Sequence, residues 1–560
     1  MILAAVIGVA SGLGVAAFDR ITADGLFSWL TSLPGWAEAL GPLLGLAMAA
    51  AALRWLAGGA GPATADEYIK SVVDPEARFD LGPVPGRLLA SMATLGAGAA
   101  MGFEGPSIYL GAATGAALHR RLARRFTGGD GRGGGSRLIG IDRHAALVAG
   151  AAAGVAAIFK APATGAVFAL EVPYQEDLAS GALLPALVGA ATGYAAFAAL
   201  NGTDPLIPVG GRPPIDARDL IGAAVVGLAC GAGARIFAWL LRTAKALSGR
   251  LAAGPRVAAA GAVLAGLVAV SRGAFDGRAF SLGPGYRAVE WAIDPHRSLA
   301  LVALLAAIRM VATTTSVAGG GVGGLFVPLV VQGALTGRLI GGVVGGPNES
   351  LFVVLGIAAF LGAGYRVPLA AVMFVAEATG RPGFVVPGLL AAVVAQLVMG
   401  TSSVSPYQRR RRLGHVEERA SLPIVSVLGS DPADLATARP ADTLNALFAA
   451  HVAPARRRAV AVVGDGDRYM GMVFLDDVLA VEPGRWATTT VGEVMRADAP
   501  VGRPDWTVGQ ALAAMLVAGV EHLPIVDDGV VHGVVGTADI LDLDDLLGRL
   551  EAAPEEPPEL

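Results

Sequence analysis

Apolar residues run along this chain in long stretches: residues 1–17, 41–57, 86–101, 145–158, 180–199, 219–241, 256–271, 298–316, 351–376 and 384–400. A helix that crosses a bilayer needs roughly 20 apolar residues. Several runs are shorter and bounded by Gly or Pro. The pattern therefore predicts an α-helical polytopic membrane protein in which some helices are tilted or partial. Broken backbone at membrane depth is tolerated only where protein or a water-lined cavity satisfies it. After residue 412 the pattern changes to that of a soluble domain. Residues 458–463 and 470–474 read as strands, and Asp476 opens a helix-like stretch. Residues 507–517 then read as a helix, 522–527 and 530–535 as strands, and T-A-D-I-L-D-L follows. Two such units predict an α/β tandem.

The apolar part repeats itself. Residues 102–115 read G-F-E-G-P-S-I-Y-L-G-A-A-T-G, and residues 324–337 read G-L-F-V-P-L-V-V-Q-G-A-L-T-G. Gly102/Gly324, Pro106/Pro328, Gly111/Gly333, Ala112/Ala334, Thr114/Thr336 and Gly115/Gly337 coincide. A second pair follows in the same order. A-P-A-T-G-A-V-F-A-L-E ends at Glu171 and V-P-L-A-A-V-M-F-V-A-E ends at Glu377, each nine positions after a proline, Pro162 or Pro368. Two matched pairs in one order indicate an internal duplication, of the kind that membrane transporters carry as inverted internal repeats. Duplicated, Gly/Pro-interrupted apolar segments are the sign of a transporter or channel with its ion site between the halves.

Composition agrees. Of 560 residues, 54% are hydrophobic and only 16% charged, where a soluble protein carries about a quarter. Mean hydropathy is +0.60. The 78 glycines sit inside apolar runs, where small residues let helices pack closely in lipid. The single cysteine, Cys230, excludes an intramolecular disulfide. A formal charge of −4 gives no indication of a nucleic-acid partner. The chain opens on M-I-L-A-A-V-I-G-V-A without the basic region of a secretory leader, and reads as a first membrane helix. Four arginines at 409–412 follow the last apolar run, and a basic loop begins at 119–126. Both are expected on the cytoplasmic side.

Taken together, G-F-E-G-P at 102–106, A-A-A-G-V-A-A-I-F-K-A-P at 151–162, G-L-F-V-P at 324–328 and Tyr407 resemble the signatures of the CLC chloride channels and transporters. The ordered set covers nearly all of residues 1–408, and the C-terminal tandem resembles a pair of CBS domains. The expected organisation is a CLC-type transmembrane anion-transport domain at 1–408, a basic linker at 409–420, CBS domains at 421–485 and 490–550, and a disordered tail at 551–560. The resemblance implies a homodimer in the cell membrane, with contacts near 165–200 and 355–400, one anion path per subunit and cytoplasmic CBS domains.

Motif chemistry supports an anion path. Helix N-termini offer unpaired N–H groups and a positive dipole end without a mobile charge. Gly allows close approach, and Pro suits a first helical turn. By resemblance, Glu104 is the gating glutamate, a carboxylate tethered in competition with the anion. The anion itself is expected against Gly105, the amides of Leu325 and Phe326, the segment Gly59-Ala60-Gly61, and the Tyr407 hydroxyl. Glu171 and Glu377 are read as structural, since carboxylates in membranes need partners. Lys160 has three open readings: attraction of anions to an inner vestibule, snorkelling, or a pair with Glu171.

Three departures from the family pattern matter. The signature Gly-Ser-Gly-Ile-Pro is Gly58-Gly59-Ala60-Gly61-Pro62 here, so a serine hydroxyl is missing and the preferred anion stays open. Phe103 replaces the usual basic residue before Glu104, which weakens electrostatic steering. Val172 replaces the second, inward-facing glutamate of proton-coupled members, which favours a channel over a proton/anion antiporter. In the second CBS unit Thr537 and Asp539 match an adenosine-binding pattern, while Leu475 replaces the hydroxyl residue in the first. One adenine-nucleotide site is therefore open, with no cofactor or metal required. A membrane enzyme would need a nucleophile or metal set such as H-E-x-x-H, which is missing here. A cation path would want carboxylates or carbonyls, the opposite polarity to helix N-termini.

Overall fold

A computed structural model describes the chain except residues 75–76, 78, 128–140, 204–205, 208–215, 346–348, 412–419, 421, 429–434, 456 and 541–560. The tail expected at 551–560, and most of the linker expected at 409–420, lie outside the described residues. Contacts divide the chain into two compact units, Met1–Arg412 and Leu413–Leu560.

The first unit is helical. Among the described residues, eight helical stretches are long and apolar enough to cross a membrane, including Ile2–Thr31, Gly35–Trp55, Ala217–Arg250 and Phe326–Val344. Others are short. Pro162–Glu171 and Pro368–Thr379 each start at a proline and run for about three turns. The single apolar run at 351–376 is two helices, Glu349–Tyr365 and Pro368–Thr379, because Arg366 takes a left-handed backbone (φ 56°) and Pro368 has no N–H to continue the first.

The two halves repeat the same packing. Glu104–Thr127 lies against Arg143–Phe159 with Gly111 facing Gly150, so closely that a Cβ on Gly111 would fall 2.0 Å from the Gly150 oxygen. Phe326–Val344 lies against Glu349–Tyr365 with Gly333 facing Gly356, where a Cβ on Gly333 would fall 2.3 Å from the Gly356 oxygen. Close backbone approach of this kind is how helices gain attraction in lipid, where the apolar effect between them is weak.

The halves are joined at their repeat mates. Gly102 and Gly324 exchange two hydrogen bonds: the Gly102 N–H donates to the Gly324 oxygen at 2.9 Å, and the Gly324 N–H returns at 2.8 Å. Glu171 accepts the amides of Leu369 (3.1 Å) and Ala370 (2.8 Å), at the start of the other half's proline helix. Glu377 does the same in return, accepting the amides of Ala163 (2.9 Å) and Thr164 (2.7 Å) and the Thr164 hydroxyl (2.6 Å). Each carboxylate thus fixes a helix end in the opposite half. A helix start has amides with no partner of its own, and a negative charge is favoured there.

Arg409 and Arg410 are not a free linker. Their backbones pair with residues 173–176: the Arg409 N–H donates to the Pro173 oxygen at 3.1 Å, and the Gln175 N–H donates to the Arg409 oxygen at 2.8 Å. The Arg410 side chain also meets Glu176 at 3.0 Å.

In the second unit, β1 (Thr437–Ala438) pairs parallel to β2 (Ala459–Val463), which pairs antiparallel to β3 (Tyr469–Phe474). β4 (His522–Asp527) and β5 (Val530–Gly536) form an antiparallel ladder, preceded by the helix Val508–Ala518. That helix starts in a capping box between Thr507 and Gln510. Ala461, Val463 and Met472 share a core with Val531, so the two ladders pack together.

Glu377→Ala leaves two amides and a hydroxyl without their acceptor. A buried donor left unpaired costs about 1–3 kcal/mol. Purified protein in detergent is expected to unfold at a clearly lower temperature, with Glu377→Gln intermediate. An unchanged midpoint for Glu377→Ala would show that the cap carries no stability.

Candidate functional site

Glu104 opens the helix Glu104–Thr127 and is buried, 2% exposed. Its carboxylate reaches across to the other half. Oε1 accepts the Phe326 N–H, and the Val327 amide also faces the carboxylate. Phe326 is the repeat mate of Glu104, so the two copies of one position meet as acceptor and donor. Glu104 Oε2 is buried with no hydrogen-bond partner among the described residues. Both bridge glycines make room for this group. A Cβ on Gly102 would fall 1.9 Å from Oε2, and one on Gly324 2.0 Å from Oε1. The carboxylate therefore fills the N-terminus of the Phe326–Val344 helix, the place where an anion would bind.

The amides at this seat are those of Phe326 and Val327. Leu325, expected beside Phe326, is the residue before the helix, and its amide faces the Tyr365 hydroxyl instead.

Aromatic rings enclose Phe326. Its centroid lies 4.2 Å from Phe159, 5.2 Å from Phe168 and 5.0 Å from Phe374. Tyr365 meets Phe168 edge-on at 5.7 Å. Tyr365 is the repeat mate of Phe159, and position in the repeat is the signal that would have singled it out.

Gly105 packs at the bridge: a Cβ there would lie 2.8 Å from both the Gly324 nitrogen and the Thr64 hydroxyl oxygen. Gly59, Ala60 and Gly61 are not brought to the seat. They form an exposed to half-exposed turn after the Gly35–Trp55 helix. The Gly59 N–H donates to Leu53 (2.9 Å) and the Ala60 N–H to Ala57 (3.1 Å), so neither is left for an anion. Gly59 has φ 81°, a conformation that disfavours a serine. From the same segment it is Thr64 that reaches the buried site.

Tyr407 stands outside the aromatic cluster. It is 41% exposed, and the Lys70 ammonium lies 4.0 Å from its ring centroid. Val172 is buried, and its carbonyl accepts from Gln408 Nε2 at 2.8 Å.

On the Phe103 side of Glu104 lies a cavity of about 490 Å³, lined in part by Asp19, Arg20, Asp24, Phe103, Lys160, Tyr286 and Val327. Lys160 belongs here, beside Phe103 and Val327. Its ammonium donates to the Asn201 carbonyl at 3.1 Å, while the Glu171 carboxylate is taken up by Leu369 and Ala370. The pair with Glu171 does not form. Arg20 and Lys160 line this cavity together with Asp19 and Asp24, so its charged side chains balance.

In the second unit, the Thr537 hydroxyl donates to the Glu521 carbonyl at 3.2 Å, and Asp539 accepts the Gly536 N–H at 2.7 Å. Both groups at the expected nucleotide site are engaged with their own backbone.

Comparison with known proteins follows the same lines. The family model for the voltage gated chloride channel matches residues 44–400, and that for the CBS domain matches residues 491–545, the second of the two C-terminal halves. The voltage-gated ClC-type chloride channel ClcB of Salmonella dublin is 26% identical over 423 residues, covering 71% of this chain and 95% of that protein. The H(+)/Cl(-) exchange transporter ClcA of Yersinia pestis bv. Antiqua (strain Angola) is 25% identical over 459 residues, covering 77% and 91%. Among solved structures, a slow cyanobacterial Cl-/H+ antiporter superposes with a TM-score of 0.60 at 19% identity, covering 71% of this chain and 93% of its own. A CLC-type fluoride/proton antiporter superposes with a TM-score of 0.59 at 23% identity, covering 73% and 96%. Two halves locked through repeat mates, a glutamate seated on a helix start between them, and a match over most of the helical unit lead to one assignment: this chain is a multi-pass membrane protein of the voltage-gated chloride channel (CLC) family.

Proposed function

We propose that this protein is a chloride channel of the CLC type, opened when the Glu104 carboxylate leaves the Phe326 and Val327 amides. The carrying observation is the place of that carboxylate. It occupies the donors an anion would use, so anion and carboxylate exclude one another. A helix N-terminus binds chloride without a mobile cation that would hold it too tightly.

Relatives named as channels and as exchangers are similarly distant, at 26% and 25% identity, so the preference for a channel rests on Val172. A valine side chain neither accepts nor releases a proton, and this one is buried. The second reading, a proton-coupled chloride antiporter on the same fold, needs a proton to reach Glu104 by a route that does not use position 172.

The same reading includes a homodimer. The helices Leu183–Asn201 and Val385–Met399 carry exposed apolar side chains, among them Leu184, Val386 and Leu397, suited to a partner or to lipid. It also places the basic 409–412 segment and the C-terminal unit on the cytoplasmic side. An adenine nucleotide at Thr537 and Asp539 would have to draw both side chains off their present backbone partners.

Chloride efflux from proteoliposomes, with external pH recorded together, tests the channel reading. The expected result is chloride loss without proton movement. Stoichiometric proton uptake driven by chloride would establish the antiporter. Glu104→Gln, which keeps the shape and loses the charge, is expected to carry anion flux that no longer responds to external pH. Wild-type pH dependence in that variant would overturn the gate. Lys160→Met is expected to lower flux a few-fold at low chloride and low salt, with the deficit shrinking as ionic strength rises. A salt-independent deficit would remove Lys160 from anion recruitment. ATP, ADP or AMP is expected to raise the unfolding temperature of the full chain. No shift with any of the three would leave the C-terminal unit without a nucleotide.

A further inference from the structure

The turn at Gly59 supplies no side-chain donor and Tyr407 stands apart, yet an anion that replaces Glu104 needs more than two amides to offset its lost hydration. Two hydroxyls meet that need. Thr64 precedes the helix Ala65–Val73, where a threonine ordinarily caps its own helix. It makes no such cap bond. The side chain is 2% exposed, and its oxygen has no hydrogen-bond partner among the described residues. It lies instead against Gly105, sharing with the Gly324 amide the space a side chain there would enter. A buried polar atom without a partner is uncommon and calls for an occupant.

Tyr365 approaches from the other half. It is 3% exposed and wedged edge-on against Phe168, and its oxygen faces the Leu325 amide. A phenol carries an O–H that can donate to an anion without bringing a charge. Phe159, its repeat mate, stacks on Phe326 without any polar atom. The repeat is therefore broken here by one hydroxyl, beside the helix start that Glu104 closes.

We propose that the hydroxyls of Thr64 and Tyr365, one from each half, hold the anion beside the Phe326 and Val327 amides when Glu104 leaves them. This rests on the reading of that seat as the anion site. Neutral donors suit the task, since they stabilise a passing anion without the deep well of a fixed charge. The side-chain donor missing at position 59 is replaced by one five residues later, on backbone that has no need of a left-handed conformation.

The test uses the full chain in liposomes with chloride as the probe, reading initial flux against chloride concentration. Thr64→Val keeps the shape of threonine, and Tyr365→Phe keeps the ring. Each is expected to raise the half-saturating chloride about tenfold, the loss of one hydrogen bond to an ion. Thr64→Ser is expected to restore the wild-type value, and all three variants keep their response to external pH because Glu104 is intact. A role in packing alone would lower the amount of folded protein without moving half-saturation. Should half-saturation stay within about twofold in both variants while Glu104→Gln is pH-insensitive, the seat stands and the two hydroxyls are not its donors. Should Glu104→Gln keep wild-type pH dependence, the seat and the proposal fall together. If one variant fails to assemble by size-exclusion chromatography, the other decides.

Discussion

An amide at a helix start, buried away from water, must find an acceptor, and three carboxylates of the helical unit answer that single requirement. Glu171, Glu377 and Glu104 each sit on the first turn of a helix from the opposite half. They differ in how completely they are held. Both oxygens of Glu171 and of Glu377 are bonded, which makes them fixed parts of the frame. Glu104 leaves one oxygen without a partner among the described residues. The same local chemistry thus yields two caps bonded at both oxygens and one bonded at a single oxygen.

The duplication makes this economical. Backbone features are kept in both halves: the proline helices, the glycine-faced helix pairs, and the left-handed residues Lys160 (φ 51°) and Arg366 (φ 56°) before each proline. Side chains diverge where the two halves meet. Glu104 faces its mate Phe326, and Tyr365 differs from its mate Phe159 by a hydroxyl. A symmetric frame with asymmetric contents makes the two sides of the Glu104 seat chemically different.

Much of this was legible in the sequence. The repeat, the helical unit and the strands of the C-terminal unit follow from local pattern, because apolar runs, Gly and Pro act on their own neighbours, while Glu104 was singled out by the family resemblance. The cross-half caps were only half legible. That Glu171 and Glu377 fix helix ends follows from a carboxylate in an apolar run, but the identity of the helix does not, since the partner is far away in the chain. The turn at Gly59 was read as donors because a Gly-rich motif does not disclose whether its amides are already bonded. Leu325 and Phe326 came from the family resemblance, which does not disclose which amides the Glu104 carboxylate meets. Thr64 and Tyr365 carry no motif. They become visible only once burial and the repeat superposition are known.

The exchanged caps bear on how the chain is made. When Ala163 and Thr164 leave the ribosome, the carboxylate that will bind them is still 213 residues from synthesis. Until Glu377 arrives, the first half holds an open helix end in an apolar setting, and Glu171 has nothing to bind. A half-length product, whether from a paused ribosome, a premature stop or a protease cut, would present these unmet groups to the lipid. Completion of the fold is therefore a late event in synthesis, and quality control has a chemically distinct intermediate to recognise.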